Sequence, residues 1–515
     1  ILIEGNWRTV IGTKILAENF WIASGVLLIA TGLVMWPIFL AAPVGHDAFL
    51  PELWATRVAE TIVTGNLYPR WLDDVNGGGS PVLFFYGIVF FWISSIFIII
   101  FGDFVSVNLC LMISVGFISW ASGIVIRAVL IQYVEIRIAL LFSILYLILP
   151  YRYAIDFWYR SAFAESMAYF WFPFCILQIL KLKNNALAGV WLSVGFAGFI
   201  MSHLPTALLG GSAIGLFLLV QCGKQADFFA LAKAVVALAL GVGISALYLI
   251  PALYLQESIH AEIWWQEGFR ASDWLIGSME APKDARLPLM LPLIFMVWSL
   301  VGIISIMLLR QQNSIAMAGS WIGMTAFSAF MMTAPSSVLW ENLPLLFKVQ
   351  FPWRMFVIYE VSCLVMFAIS VNSIKRFRKS EVIMAVIGGT AMIAGGAVIT
   401  FLATGPYFPV SSNNDKLIGY HQTVEDFVSQ GRGAKEYLPR EVQVKPVDVI
   451  FFIRNELRRS AVFEGSQFFP VGQTGMNTRP SLGRNCANLG LARTVGRSYI
   501  NNFVGRIAVL PILVA

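Results

Sequence analysis

At 515 residues the chain has the length of three or four soluble domains, but its composition excludes that reading. Hydrophobic residues make up 58% and charged residues only 12%, against about 45–50% and about 25% in soluble domains, and the mean hydropathy is +0.75. This is the composition of an integral membrane protein; it also excludes a disordered chain, a coiled coil and a nucleic-acid-binding domain.

The net charge of +6 is unevenly placed. From Gly405 to Ala515 there are 13 Lys and Arg against 8 Asp and Glu, so the tail carries +5 and the first 404 residues only +1. The five cysteines, Cys110, Cys175, Cys222, Cys363 and Cys486, form no CxxC or Cys/His cluster. Neither a disulfide framework nor a structural zinc site is indicated.

A spanning helix needs about 20 apolar residues. Candidate spans are 20–42, 82–101, 104–126, 136–150, 163–180, 186–203, 205–221, 232–254, 288–309, 314–334, 354–373 and 381–403. The first is longer than a signal-peptide core. No alternating ten-residue pattern recurs, so the spans are helices and not barrel strands. Positive loops at Lys181/Lys183, Lys224/Lys233, Arg310 and Lys375–Lys379 predict cytoplasmic turns. The segments 43–81, 150–162, 255–287, 335–353 and everything after 404 then face outward. With Arg8 and Lys14 inside, the number of spans must be odd, whereas twelve are readable. The conflict lies in 82–150, where Arg127 and Arg137 claim a cytoplasmic loop. A re-entrant segment there, or a helix preceding Ile1, would resolve it. The expectation is an all-α polytopic protein of about 11–13 transmembrane helices over residues 1–404. Short β-rich runs such as Val447–Ile453 and Ala461–Phe469 predict a small extracytoplasmic β-rich domain over 405–515.

The first outward loop, 43–81, is dense in charge for so apolar a chain. It holds His46, Asp47, Glu52, Arg57, Glu60, Arg70, Asp73 and Asp74. Ala48–Val63 can form an amphipathic helix on the membrane surface, and Gly77–Gly79 permit tight turns. A solvated loop explains this content; so does a catalytic loop in which an acidic residue acts as base at the membrane face.

A second cluster, YRYAIDFWYRSAFAE, places Arg152, Asp156, Arg160 and Glu165 at an outward helix boundary. Glu165 falls two residues inside an apolar run, where an ionisable group is costly unless paired or functional. Arg160 is within reach, so an ion pair pinning a helix end and a substrate contact are both open. His203 precedes Pro205 at another outward helix end, as a structural histidine or as a phosphate or acceptor contact. The loop 255–287 adds Glu257, His260 and Glu262 beside two tryptophans. FKVQFPWRMF puts Arg354 at the next helix mouth, suited to bidentate phosphate binding or to snorkelling. P-loop, GxGxxG, HExxH and GxSxG motifs are absent, which argues against a nucleotide-driven enzyme.

The charged first loop with LYPRWLDDVNGGGSPVLFFY, together with PYRYAIDFWYRSAFAE, MSHLPTALL, FPWRMF and KEYLP, resembles the bacterial membrane proteins grouped as "6-pyruvoyl-tetrahydropterin-synthase-related". That group is similar to the GT-C-type glycosyltransferases. The similarity runs from about residue 20 to 440. It implies a multi-pass protein of the inner membrane and cell envelope that takes a polyprenyl-phosphate-linked sugar and works on the extracytoplasmic face. Asp47 would be the catalytic acid residue, with Asp73 or Asp74 sharing the role, because the adjacent acidic pair common in GT-C enzymes is here His46-Asp47 with Glu52 further on. The donor phosphate would rest near Arg57, Arg70, Arg160 or Arg354, and His46, Glu52, Arg152, Glu165, His203 and His260 would complete the substrate-binding set. A divalent metal is permitted and not demanded. A non-catalytic scaffold subunit with protein partners in a membrane complex, or a lipid-linked glycan transporter, fits the same residues. Charges gathered in outward loops favour the enzyme over the transporter.

Overall fold

The computed structural model describes residues 20–36, 49–72, 80–225, 227–261, 270–277, 287–311 and 314–373. The expected β-rich tail, the Lys375–Lys379 turn, and His46, Asp47, Asp73 and Asp74 lie outside the described residues. Among those described the architecture is helical throughout. Only two isolated bridges occur, Leu72 with Ser80 and Ile276 with Thr333.

The helices are α1 (Phe20–Trp36), α2 (Phe49–Val63), α3 (Val89–Phe101), α4 (Val107–Leu130), α5 (Ile136–Leu147), α6 (Phe163–Lys181), α7 (Ala188–Ser202), α8 (Leu204–Gln225), α9 (Phe228–Ile244), α10 (Ala246–Leu255), α11 (Leu287–Gln311), α12 (Ile315–Met331) and α13 (Phe356–Ser373). Among the described residues, six helical stretches are long and apolar enough to cross a membrane, and α9 with α10 could form a seventh, bent by 60° at Ser245. Shorter apolar helices are α1, α3, α7 and α12. The chain is thus a polytopic α-helical membrane protein.

Local chemistry sets the helix ends. Ser106 accepts from the Leu109 amide at 3.3 Å and starts α4; Asp227 accepts from the Ala230 amide at 3.0 Å and starts α9. These caps satisfy backbone donors that have no partner within the helix. Inside the spans, Ser94, Ser114, Ser143, Ser305 and Ser328 donate to carbonyls four residues back. A hydroxyl in an apolar medium has few other acceptors.

The hub is α13: its span, Pro352–Ser373, is 94% buried, whereas the span along α11 is 39% buried. α11 and α12 pack on α13, α4 packs on α5 and α6, and α7 packs on α6 and α9. Exposed apolar side chains such as Trp21, Leu33, Leu219, Phe229 and Leu289 belong to the outer helices. Those are the faces that lipid would cover.

One sequence expectation is met and one changes. The helix foreseen over Ala48–Val63 is present as α2, and it packs against α3 with Trp54, Ala55 and Val58 buried. The segment 150–162, expected as an outward loop, is instead a π-helix over Tyr151–Arg160 that extends the α5 span, with all but Tyr153 and Arg160 buried. Its charges made it look like a loop. They are tolerated inside because they neutralise one another.

Candidate functional site

The π-helix, the start of α6 and the start of the α13 span meet around one carboxylate. Pro150 lacks an N–H and disfavours the helical conformation at Leu149, so α5 stops and a new element begins. That element is a π-helix, a rare form concentrated at functional positions. It ends at Ser161, with φ 57°, where a left-handed residue turns the chain into α6. The Ala162 amide closes the turn on the Asp156 carbonyl at 2.8 Å. Such backbone costs about 1–3 kcal/mol and persists where its surroundings impose it.

This geometry brings Arg160 back over its own helix and onto α6. Arg160 Nη1 donates to Glu165 Oε2 at 2.9 Å, to Asp156 Oδ1 at 3.1 Å and to Tyr151 Oη at 3.3 Å. The Tyr151 hydroxyl donates to Glu165 Oε1 at 2.8 Å. From the other side, Arg354 Nε donates to Glu165 Oε2 at 3.4 Å. Two guanidinium groups therefore face two carboxylates. In a low-dielectric interior a neutral set is the arrangement that survives, because an unpaired charge there is costly. Two buried atoms of the set have no hydrogen-bond partner: Arg354 Nη1 and Asp156 Oδ2.

His203 sits between α7 and α8, where its charge environment includes both Arg354 and Glu165. Its Nδ1 lies 2.7 Å from the Thr206 hydroxyl, and its ring meets Tyr86 edge-on at 6.3 Å. Tyr86 in turn packs on Trp54 of α2. A chain of rings thus runs from the first-loop helix to His203. Gly87 makes the approach possible: a Cβ there would strike the Ser202 carbonyl.

The remaining expected residues are placed elsewhere. Arg57 pairs with Glu60 at 2.7 Å on the exposed side of α2. Glu52, on the same helix, is buried. Arg70 lies over the rings of Tyr68 and Phe84 and donates to the Leu247 carbonyl at 3.2 Å. Burial pushes the pKa of the neighbouring Tyr68 hydroxyl above its usual value, against the lowering pull of Arg70. Leu72 and Ser80 exchange two backbone hydrogen bonds of 2.9 Å, which hold together the ends of the segment containing Asp73 and Asp74. His260 is half-buried at the end of the α10 turn. Arg152 is fully buried; it donates to Ser122 at 2.8 Å and stacks near Tyr146, Phe157 and Tyr169, apart from the Arg160 group. Among the described residues no three His, Cys, Asp or Glu side chains come together as a metal site.

Sequence reading missed Glu360. It is fully buried in α13 and accepts from the Tyr151 amide at 2.9 Å, the Trp298 indole at 2.8 Å and the Tyr169 hydroxyl at 2.9 Å. A lone glutamate in the middle of an apolar run was the available signal.

Fold and site together define a polytopic helical membrane protein with a charge-balanced cluster enclosed among its spans. No protein-family model matches the chain. No curated protein matches it either. Among solved structures it is similar to ArnT from Cupriavidus metallidurans, whose crystal structure is of the undecaprenyl-phosphate-bound protein. The superposition has a TM-score of 0.46 at 14% identity, over 86% of this chain and 88% of that one.

Proposed function

We propose that the protein is a membrane glycosyltransferase of the GT-C type, which transfers a sugar from a polyprenyl-phosphate donor to an extracytoplasmic acceptor. The observation that carries the reading is Arg354. Its guanidinium is buried, shares Glu165 with Arg160, and keeps Nη1 unspent. Unspent guanidinium donors held beside a second arginine suit the oxygens of a phosphate group. The resemblance of FPWRMF, PYRYAIDFWYRSAFAE and the first outward loop to the GT-C group supports the same assignment.

In this reading the acceptor hydroxyl gives its proton to the Asp47 carboxylate as its oxygen bonds to the anomeric carbon. The bond from that carbon to the lipid phosphate breaks, and the phosphate leaves with the electron pair. Arg160 and Arg354 hold the developing negative charge, which makes the phosphate a better leaving group. Asp73 and Asp74 are the alternative bases. The active face and the tail after Gly405 are assigned to the extracytoplasmic side of the inner membrane.

A scaffold reading draws on the neutrality of the cluster, since each arginine already faces a carboxylate and the set would pin three spans together without any ligand. Protein purified into nanodiscs and mixed with undecaprenyl phosphate separates the two. The enzyme reading requires a bound lipid in native mass spectra, lost in Arg354→Ala. A wild type that never retains the lipid sinks it.

A further inference from the structure

Glu360 accepts hydrogen bonds from Tyr151, Tyr169 and Trp298, each on a different span from its own and each a neutral donor. The Tyr151 amide is one of the orphan donors at the start of the π-helix. The Pro150 break leaves it no carbonyl one turn back, and the first backbone bond of the new element is from Tyr153 to Leu149 at 2.8 Å. Oε1 of Glu360 supplies the missing acceptor at 2.9 Å and also takes the Trp298 indole at 2.8 Å. Oε2 takes the Tyr169 hydroxyl from α6 at 2.9 Å. One side chain thus ties α11, α6 and the π-helix to the central helix.

We infer that Glu360 is a positioning residue, which caps the π-helix and fixes the register that delivers Arg160 and Asp156 to Glu165. The register matters because Tyr151 is used at both ends: its amide binds Glu360 while its hydroxyl donates to Glu165. Arg160 follows nine positions later on the same element and meets that same hydroxyl. A slip of one residue would turn Arg160 to a different side of the helix and away from Glu165. Ser161 in its left-handed conformation closes the far end, so the element is clamped at both termini. Glu360 touches no cation among these partners; its part is geometric, through Tyr151. The consequence for phosphate binding rests on the reading given under Proposed function.

The test uses Glu360→Leu and Glu360→Gln in the full protein in nanodiscs. Glutamine keeps one acceptor for the Tyr151 amide, and its NH2 can donate to Tyr169 once that hydroxyl turns. Leucine keeps the bulk and no acceptor. Backbone deuterium exchange over 151–160 should accelerate about tenfold or more in the leucine variant and stay near wild type in the glutamine variant. Exchange within Val107–Leu130 should be unchanged in both. Unaltered protection over 151–160 in Glu360→Leu overturns the inference, as does equal acceleration across all spans. If that variant fails to fold, Glu360→Leu with Trp298→Phe removes the indole donor together with its acceptor and leaves the Tyr151 amide as the orphan; unaltered protection there is equally fatal.

A second arm measures undecaprenyl phosphate binding. Glu360→Leu should weaken it about tenfold, the scale of one charge-assisted hydrogen bond. Combined with Arg160→Ala it should add nothing further, because both act through Arg160. Additive losses overturn the coupling. A wild type that does not bind the lipid counts against the phosphate reading alone, and the exchange result then decides Glu360.

Discussion

Arg354 and Glu165 stand 189 positions apart in the chain, yet Arg354 Nε reaches Glu165 Oε2 at 3.4 Å where the starts of their two spans meet. Arg160 reaches the same oxygen from five positions away at 2.9 Å. One carboxylate therefore joins a local ion pair to a long-range one. Losing either arginine should have different consequences, since Arg160 also holds Asp156 at 3.1 Å.

That difference gives an ordering. Arg160→Ala strips the nearest cation from two buried carboxylates and should cost about 3–5 kcal/mol of stability, as breaking a buried pair does. Arg354→Ala leaves Glu165 with Arg160 and Tyr151 and should cost about 1–3 kcal/mol. Thermal unfolding of detergent-purified variants reads the order directly. A larger drop in midpoint for Arg354→Ala would contradict it.

Asp47→Asn keeps the size and most hydrogen bonding of the side chain and removes its basicity. If Asp47 is the base, glycan product should fall roughly 10²–10⁴-fold while protein level and undecaprenyl phosphate binding stay near wild type. Undiminished product would favour Asp73, Asp74 or the scaffold reading.

Gly87→Ala should be destabilising although alanine is small. The new Cβ meets the Ser202 carbonyl, a backbone atom at the end of α7 that cannot rotate away. Displacing it should cost about 1–3 kcal/mol and shift His203, the next residue. By contrast Gly116→Ala, with open space around its Cβ position, should leave the melting temperature unchanged.

Topology follows from the positive loops. Arg378→Cys should resist an impermeant thiol reagent in intact cells, and Ser412→Cys should be labelled. The reverse pattern would end the outward-facing active site.

The helical, membrane-spanning character was legible in the chain because lipid imposes a local rule: about 20 apolar residues, backbone satisfied within the segment. The Arg160–Glu165 pair was legible for a similar reason, as opposite charges five apart at the edge of an apolar run. Helix α2 was also readable, although its burial against α3 was not.

Local pattern carries no information about which distant residue closes a network, and there the reading stopped. Charges in 150–162 read as a loop because hydration is the usual fate of charge; only the convergence of Glu165 and Arg354 from other helices makes a buried π-helix affordable. Arg152 looks like Arg160 in sequence, yet one is walled in by Tyr146, Phe157 and Tyr169 and the other joins the carboxylates. Glu360 belongs with Tyr151 only because α13 runs through the centre of the bundle. The sequence by itself determined that the chain spans a membrane and where its ionisable residues fall along it, since hydrophobic burial is set segment by segment. Which of those residues meet was decided by the tertiary packing, since a charge enclosed among apolar spans is stable only beside partners that other helices supply.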